Sequence, residues 1–298
     1  MFPGVYSCSM GNFIYYLIYG FFRAMALLPL SALYLLSDLF YLLAYYFPGY
    51  RKRVVFENLN NSFPEKSPEE ITRIAKRYYR HLGDLVIESI YLTGMGEEEI
   101  GRRVRYKNPW AVEKHFREGK HTAAVLGHYG NWEWMCGFPL QTGYKCVVIY
   151  RQLKNRIFDR LMFDVRSRFG AIPVPMKMAI RKIYELDRQG VPTITAFMAD
   201  QTPPREKSLY WTGFLNQDTP VYLGTERIAR KIDMAVVYFW MRKVKRGYYE
   251  FEFIPLFDEG AATSEEEITN AHVKLLEKQI RETPEHWLWS HRRWKIKR

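Results

Sequence analysis

"VLGHYGNWEWM", Val125 to Met135, is the stretch on which the reading of this chain turns. An apolar run, "TAAVLG" from Thr122 to Gly127, ends at His128, and Glu133 stands five residues further on. Such a run bounded by glycine reads as a buried strand, with a helix beginning near Asn131. In α/β sheets the working side chains gather just beyond the carboxyl ends of strands, and His128 falls at such a point. Residues five apart do not share a face of one straight helix, so a turn through Gly130 would have to carry Glu133 back toward His128. A carboxylate behind an imidazole fixes its tautomer and leaves the far ring nitrogen to take a proton from a hydroxyl. Two other readings stay open on spacing alone. One is a structural pair capping a helix, with the tryptophans as core; the other is a metal site, for which a second His at i+4 and a nearby third ligand are lacking.

Outward from this stretch, "CVVIY", "AIPVP", "PTITAFM", "MAVVYFW" and "YYEFEFI" also read as strands, with helical stretches between several of them. That alternation predicts an α/β fold with a largely parallel or mixed central sheet flanked by helices. Upstream, Ser67, Pro68 and Glu70 form a capping box at the head of a helix whose Ile71, Ile74, Tyr78, Leu82 and Leu85 face a core. Ser264 and Glu267 predict a last helix through "ITNAHVKLLEKQI".

The N-terminal region is unlike a soluble surface. Phe13 to Phe47 is dense in Leu, Tyr and Phe, broken by Arg23 and Asp38. A continuous helix from Ala24 to Phe47 would be about 36 Å long against a hydrocarbon thickness of about 30 Å. Asp38 would cost such a span roughly 2.5–3.5 kcal/mol at mid-membrane. A spanning helix, an in-plane anchor kinked at Pro29 with its charges at headgroup level, and a buried segment are the three possibilities. Arg51, Lys52 and Arg53 then mark the cytoplasmic side. The expected organisation is a hydrophobic membrane anchor over residues 1–50 and a cytosolic-facing catalytic domain over 51–298. Lys and Arg exceed Asp and Glu by 44 to 32, a net charge of +12, which suits anionic partners. Basic residues are interleaved with aromatics in "HRRWKIKR", yet no nucleic-acid motif accompanies them, and nucleic acid is not expected as a partner. Cys8, Cys136 and Cys146 are too few and scattered for a disulfide framework or paired zinc knuckles.

"GHYGNWEW" resembles the His-x4-Glu signature of the bacterial lipid A late acyltransferases, the lauroyl and myristoyl branch of the lysophospholipid acyltransferase superfamily. The similarity recurs in "ENLNNSFPEKSPEE", in "YRQLKNRIFDRLMFDVRSRFG", in "MADQTPP" followed by "WTGFLN", and in "PEHWLWSHRRWK". The resemblance implies a membrane-anchored α/β enzyme on the cytoplasmic face of the bacterial inner membrane. It would move an acyl chain from acyl carrier protein to a hydroxyl of a phosphorylated glycolipid, with no metal or organic cofactor. Carried over by position, His128 is the general base and Glu133 its orienting carboxylate. Arg166 and Arg168 are candidates for oxyanion or phosphate contact; Asp200 is an active-site residue, and Arg151 and Asn155 belong to the same set. Tyr150-Arg151-Gln152 departs from the commoner Tyr-Arg-Pro, which puts the acceptor in question: a lysophospholipid, an aminolipid or a mannosylated inositol lipid are the alternatives. A non-enzymatic membrane- or nucleic-acid-binding protein is the reading from another class.

Overall fold

A computed structural model describes residues 10–47, 49–203 and 209–298; Cys8 lies outside these. The described strands are β1 (Val104–Tyr106), β2 (Thr122–Leu126), β3 (Lys145–Tyr150), β4 (Ile172–Pro175), β5 (Thr193–Met198), β6 (Tyr210–Phe214), β7 (Gln217–Val221), β8 (Ala235–Lys245) and β9 (Tyr248–Phe257). Seven of them form one sheet in the order β1-β9-β8-β2-β5-β3-β4, and β6 and β7 form a separate hairpin. All neighbours in the large sheet run parallel except β8 and β9. The mixed sheet predicted from the alternating runs is therefore present. β2 lies inside it and is buried at every position, as a parallel strand covered on both faces must be. Ala124 and Leu126 enter the larger core on one side, Ala123 and Val125 a smaller one on the other.

Ten α-helices are described: α1 (Met10–Met25), α2 (Leu30–Tyr46), α3 (Lys52–Ser62), α4 (Pro68–Leu92), α5 (Glu97–Arg103), α6 (Trp110–Arg117), α7 (Arg156–Ser167), α8 (Ala179–Arg188), α9 (Gly224–Lys231) and α10 (Glu267–Glu282). At the head of α4 both bonds of the predicted capping box form, Glu70 N–H to Ser67 Oγ at 3.3 Å and Ser67 N–H to Glu70 Oε2 at 2.9 Å. Ile71, Ile74, Tyr78 and Leu85 are buried beneath it. Ser264 does bond Glu267 through its hydroxyl and its N–H, both at 2.8 Å, but α10 starts only at Glu267.

The apolar N-terminus differs from a continuous helix. α1 ends at Met25, Leu27 and Leu28 tighten into turns on the Ala24 and Met25 carbonyls, and α2 restarts after Pro29, with α1 and α2 bent 115° apart. No single described helix is long and apolar enough to cross a membrane; α1 and α2 pass that test only together. One face of α2 packs on α4, where a Cβ at Gly83 would come within 2.7 Å of the Ser37 carbonyl. Both charges in the segment turn toward the body. Arg23 donates to the Thr93 carbonyl at 2.9 Å, and Asp38 pairs with Arg246 at 2.7 Å. The opposite face of α2 leaves Leu35, Leu39, Leu42, Leu43 and Tyr46 exposed, and α1 adds Phe13, Leu17 and Phe21.

Candidate active site

Register brings the site together. β2 and β5 are parallel neighbours with Leu126 opposite Met198, so continuing each strand by two residues sets His128 beside Asp200. The pair is closely joined. Asp200 Oδ1 lies 2.6 Å from His128 Nδ1, while Oδ2 accepts the His128 backbone N–H and the Trp287 indole N–H, each at 2.8 Å. A carboxylate can only accept, so Nδ1 carries the proton and Nε2 presents its lone pair. That lone pair faces the Gln201 side-chain amide at 3.2 Å. Asp200 is sealed from water, and burial alone would push its carboxyl upward. The electrostatic interaction with the His128 ring and the donated hydrogen bonds outweigh burial and bring it down to about 2.

Gly130 makes the predicted turn at φ +57°, and a Cβ there would meet the Met241 sulphur at 2.4 Å. The segment after the turn, Trp132–Gln141, is a 3-10 helix, and it does not return Glu133 to His128. The carboxylate expected behind the imidazole is thus Asp200, not Glu133. Glu133 instead accepts two bonds from Arg166, Nε to Oε2 at 2.8 Å and Nη2 to Oε1 at 2.5 Å. Trp132 stands between the two groups, its ring edge-on to His128 at 5.1 Å and its indole N–H bonded to Glu133 Oε1 at 3.2 Å. The physical reason is the charge of Arg166: the fork-shaped cation engages both oxygens of Glu133, the Trp132 indole adds a third donor, and the carboxylate is held at Arg166 and not at the ring. Burial would lower the basicity of Arg166, but Glu133 overrides this and raises it.

The other predicted residues separate. Arg168 turns from this cluster and donates to the carbonyls of Met95 and Thr93, each at 2.8 Å, bracing the end of α4. Asn155 caps α7 through the N–H groups of Ile157 and Phe158. Arg151 is exposed just past the end of β3. Trp287 and Gln201, which appear in the sequence only inside the quoted motifs, both touch the His128–Asp200 pair. Cys136 is buried, and burial pushes its thiol up, away from nucleophilic character. Among the described residues no group of three or more His, Cys, Asp or Glu is placed to hold a metal ion.

Beneath the 3-10 helix lies a narrow apolar cavity of about 30 Å³. Met135, Cys136 and Phe138 roof it, Ala124, Cys146 and Ala196 of the sheet floor it, and Phe253 lines it from β9. It adjoins the segment bearing Glu133.

The family described as bacterial lipid A biosynthesis acyltransferase matches residues 8–296. A lipid A biosynthesis palmitoleoyltransferase of Escherichia coli K12 is 24% identical over 255 residues, covering 83% of this chain and 79% of the relative. A lipid A biosynthesis acyltransferase of Shigella flexneri aligns with the same identity and coverage. With the family's pattern matching nearly end to end, and its histidine set on a buried carboxylate at the strand ends, the chain belongs to the bacterial lipid A biosynthesis acyltransferases.

Proposed function

We propose that the protein transfers a fatty acyl chain from acyl carrier protein to a hydroxyl of a lipid A precursor, a phosphorylated glycolipid, at the cytoplasmic face of the inner membrane. The single observation carrying this reading is the geometry of His128. Its Nδ1–H is bound to buried Asp200, and its Nε2 lone pair faces the Gln201 amide, which an acceptor hydroxyl can replace. The acceptor hydroxyl displaces the Gln201 amide and gives its proton to Nε2, and its oxygen attacks the thioester carbon. The tetrahedral intermediate collapses, the C–S bond breaks, and the departing thiolate takes the proton back from Nε2. Asp200 stabilises the imidazolium between these steps. The displaced Gln201 amide is available as a donor for the oxyanion, and Arg166, bound by Glu133, is the candidate for the acceptor's phosphate.

The apolar cavity beneath the Glu133 segment is the place for the acyl chain, widening as the chain enters. The exposed faces of α1 and α2 lie in the lipid, with residues 1–50 as the anchoring part and the remainder facing the cytosol. Lys52 and Arg53, next to this apolar surface, suit anionic headgroups.

The test uses detergent-solubilised protein, acyl carrier protein carrying labelled fatty acid, and a panel of acceptors: lipid A precursor, lysophospholipid, aminolipid and inositol mannoside. Label reaching the lipid A precursor with wild type and not with His128→Ala is the expected result. No transfer by wild type, or equal transfer by the variant, refutes the reading.

A further inference from the structure

Glu88, in the last third of α4, is fully buried. Its Oε1 accepts the Tyr34 hydroxyl of α2 at 2.7 Å. Its Oε2 accepts the Asn131 side-chain amide at 2.6 Å and the Tyr249 hydroxyl of β9 at 2.7 Å. Its backbone carbonyl accepts the Trp134 indole N–H at 3.2 Å. Asn131 and Trp134 bracket Trp132 and Glu133, and Asn131 lies three residues beyond His128. One residue, remote in sequence, therefore grips both sides of the segment between the proposed base and the Arg166 pair.

Packing alone does not account for a carboxylate here. No described ion pair ends on Glu88, and its donors are two phenols and an amide. Sealing a carboxylate from water in such company carries a large desolvation cost that an apolar side chain of similar size would avoid. What the carboxylate supplies is geometry: several acceptor lobes aimed at three separate elements.

We propose that Glu88 is a positioning residue for acyl transfer. It fixes the turn from His128 to Trp134 through Asn131 and Trp134, and through Tyr34 it ties that turn to α2. The inference rests on His128 being the base. It goes further by assigning a role to a residue outside the chemistry and to the Tyr34 hydrogen bond between α2 and α4.

The experiment compares steady-state kinetics of wild type, Glu88→Gln, Glu88→Ala, Asn131→Ala and the Glu88→Ala/Asn131→Ala double variant, with acyl carrier protein as donor carrier. A displacement of about 1 Å at the reacting groups costs on the order of 100-fold in rate, so kcat of Glu88→Ala falls by about that factor while both KM values stay within about twofold. Glu88→Gln keeps its rate within about fivefold, because its amide oxygen still accepts from Asn131 and Tyr249 while the Tyr34 hydroxyl rotates to accept from the new NH2. The double variant is no slower than the slower single, since both cut one link. Losses that multiply, losses carried by KM, or a Glu88→Ala kcat within threefold of an active wild type overturn the proposal. If Glu88→Ala does not fold, Asn131→Ala decides, and a wild-type kcat there overturns it. A wild type without activity refutes the acyl-transfer reading instead. Hydrogen exchange of residues 127–134 then decides for Glu88: faster exchange in Glu88→Ala or Asn131→Ala supports the positioning role, and unchanged exchange overturns it.

Discussion

Replacing Asp200 by Asn changes one atom and forces a choice on the site. The two oxygens of Asp200 serve three donors: the His128 backbone and Trp287 indole N–H groups on Oδ2, and the ring Nδ1–H on Oδ1. An asparagine has one oxygen. Placing it at the Oδ2 position satisfies two donors and turns the NH2 toward Nδ1, which must then accept, so the ring proton moves to Nε2. Placing it at the Oδ1 position keeps the tautomer but sets the NH2 against two buried N–H groups, at a cost of about 1–3 kcal/mol for each. The first arrangement wins, and it removes the lone pair that takes the substrate proton. Loss of general-base catalysis is worth about 10²–10⁴-fold, equivalent to roughly 3–5 kcal/mol of barrier. Single-turnover transfer from labelled acyl carrier protein measures it directly, with the thermal midpoint recorded on the same preparation. Asp200→Asn with kcat within tenfold of wild type, or with its whole loss in KM, refutes the reasoning.

Other outcomes rest on the same structure. Arg166→Ala leaves Glu133, whose side chain is 12% exposed, without its partner and destabilises by about 3–5 kcal/mol in urea unfolding, whereas Arg166→Met with Glu133→Gln recovers much of that. Burial holds His272 down at about 4 and His286 at about 3. Below pH 6.5 the unfolded chain therefore binds protons that the folded chain refuses, and each adds up to about 1.4 kcal/mol of stability loss per pH unit on going from 6.5 toward 4. Unfolding midpoints that stay level between pH 7 and pH 5 would contradict this. Ala196→Phe fills the floor of the apolar cavity and shifts donor preference to shorter acyl chains, read by competition between acyl carrier proteins of different chain length.

Much of the fold was legible because the strands are short apolar runs between glycine and polar breaks. The β6–β7 hairpin was not. Its turn is Leu215-Asn216, both at positive φ (51° and 60°), without the glycine that normally announces such a turn. β1 has only three residues and takes its place from its pairing with β9, 145 positions away. The site was half legible. His128 was marked by its position after a strand and Asp200 by the family resemblance, but spacing along the chain pointed His128 at Glu133, five residues away, when its partner lies 72 away. Equal offsets from neighbouring parallel strands were the signal; strand order, invisible in a single sequence, was needed to use it. Glu88 carried no signal in a helical repeat where it reads as an ordinary polar position.

The most direct test is the position of the ring proton on His128, read by 15N NMR of histidine-labelled protein under conditions where the ring is neutral. The proton should sit on Nδ1 in wild type and in Glu133→Ala, and lose that preference in Asp200→Ala. A proton on Nε2 in wild type, or a tautomer that responds to Glu133→Ala and ignores Asp200→Ala, would contradict the assignment of Asp200 as the group that holds the base.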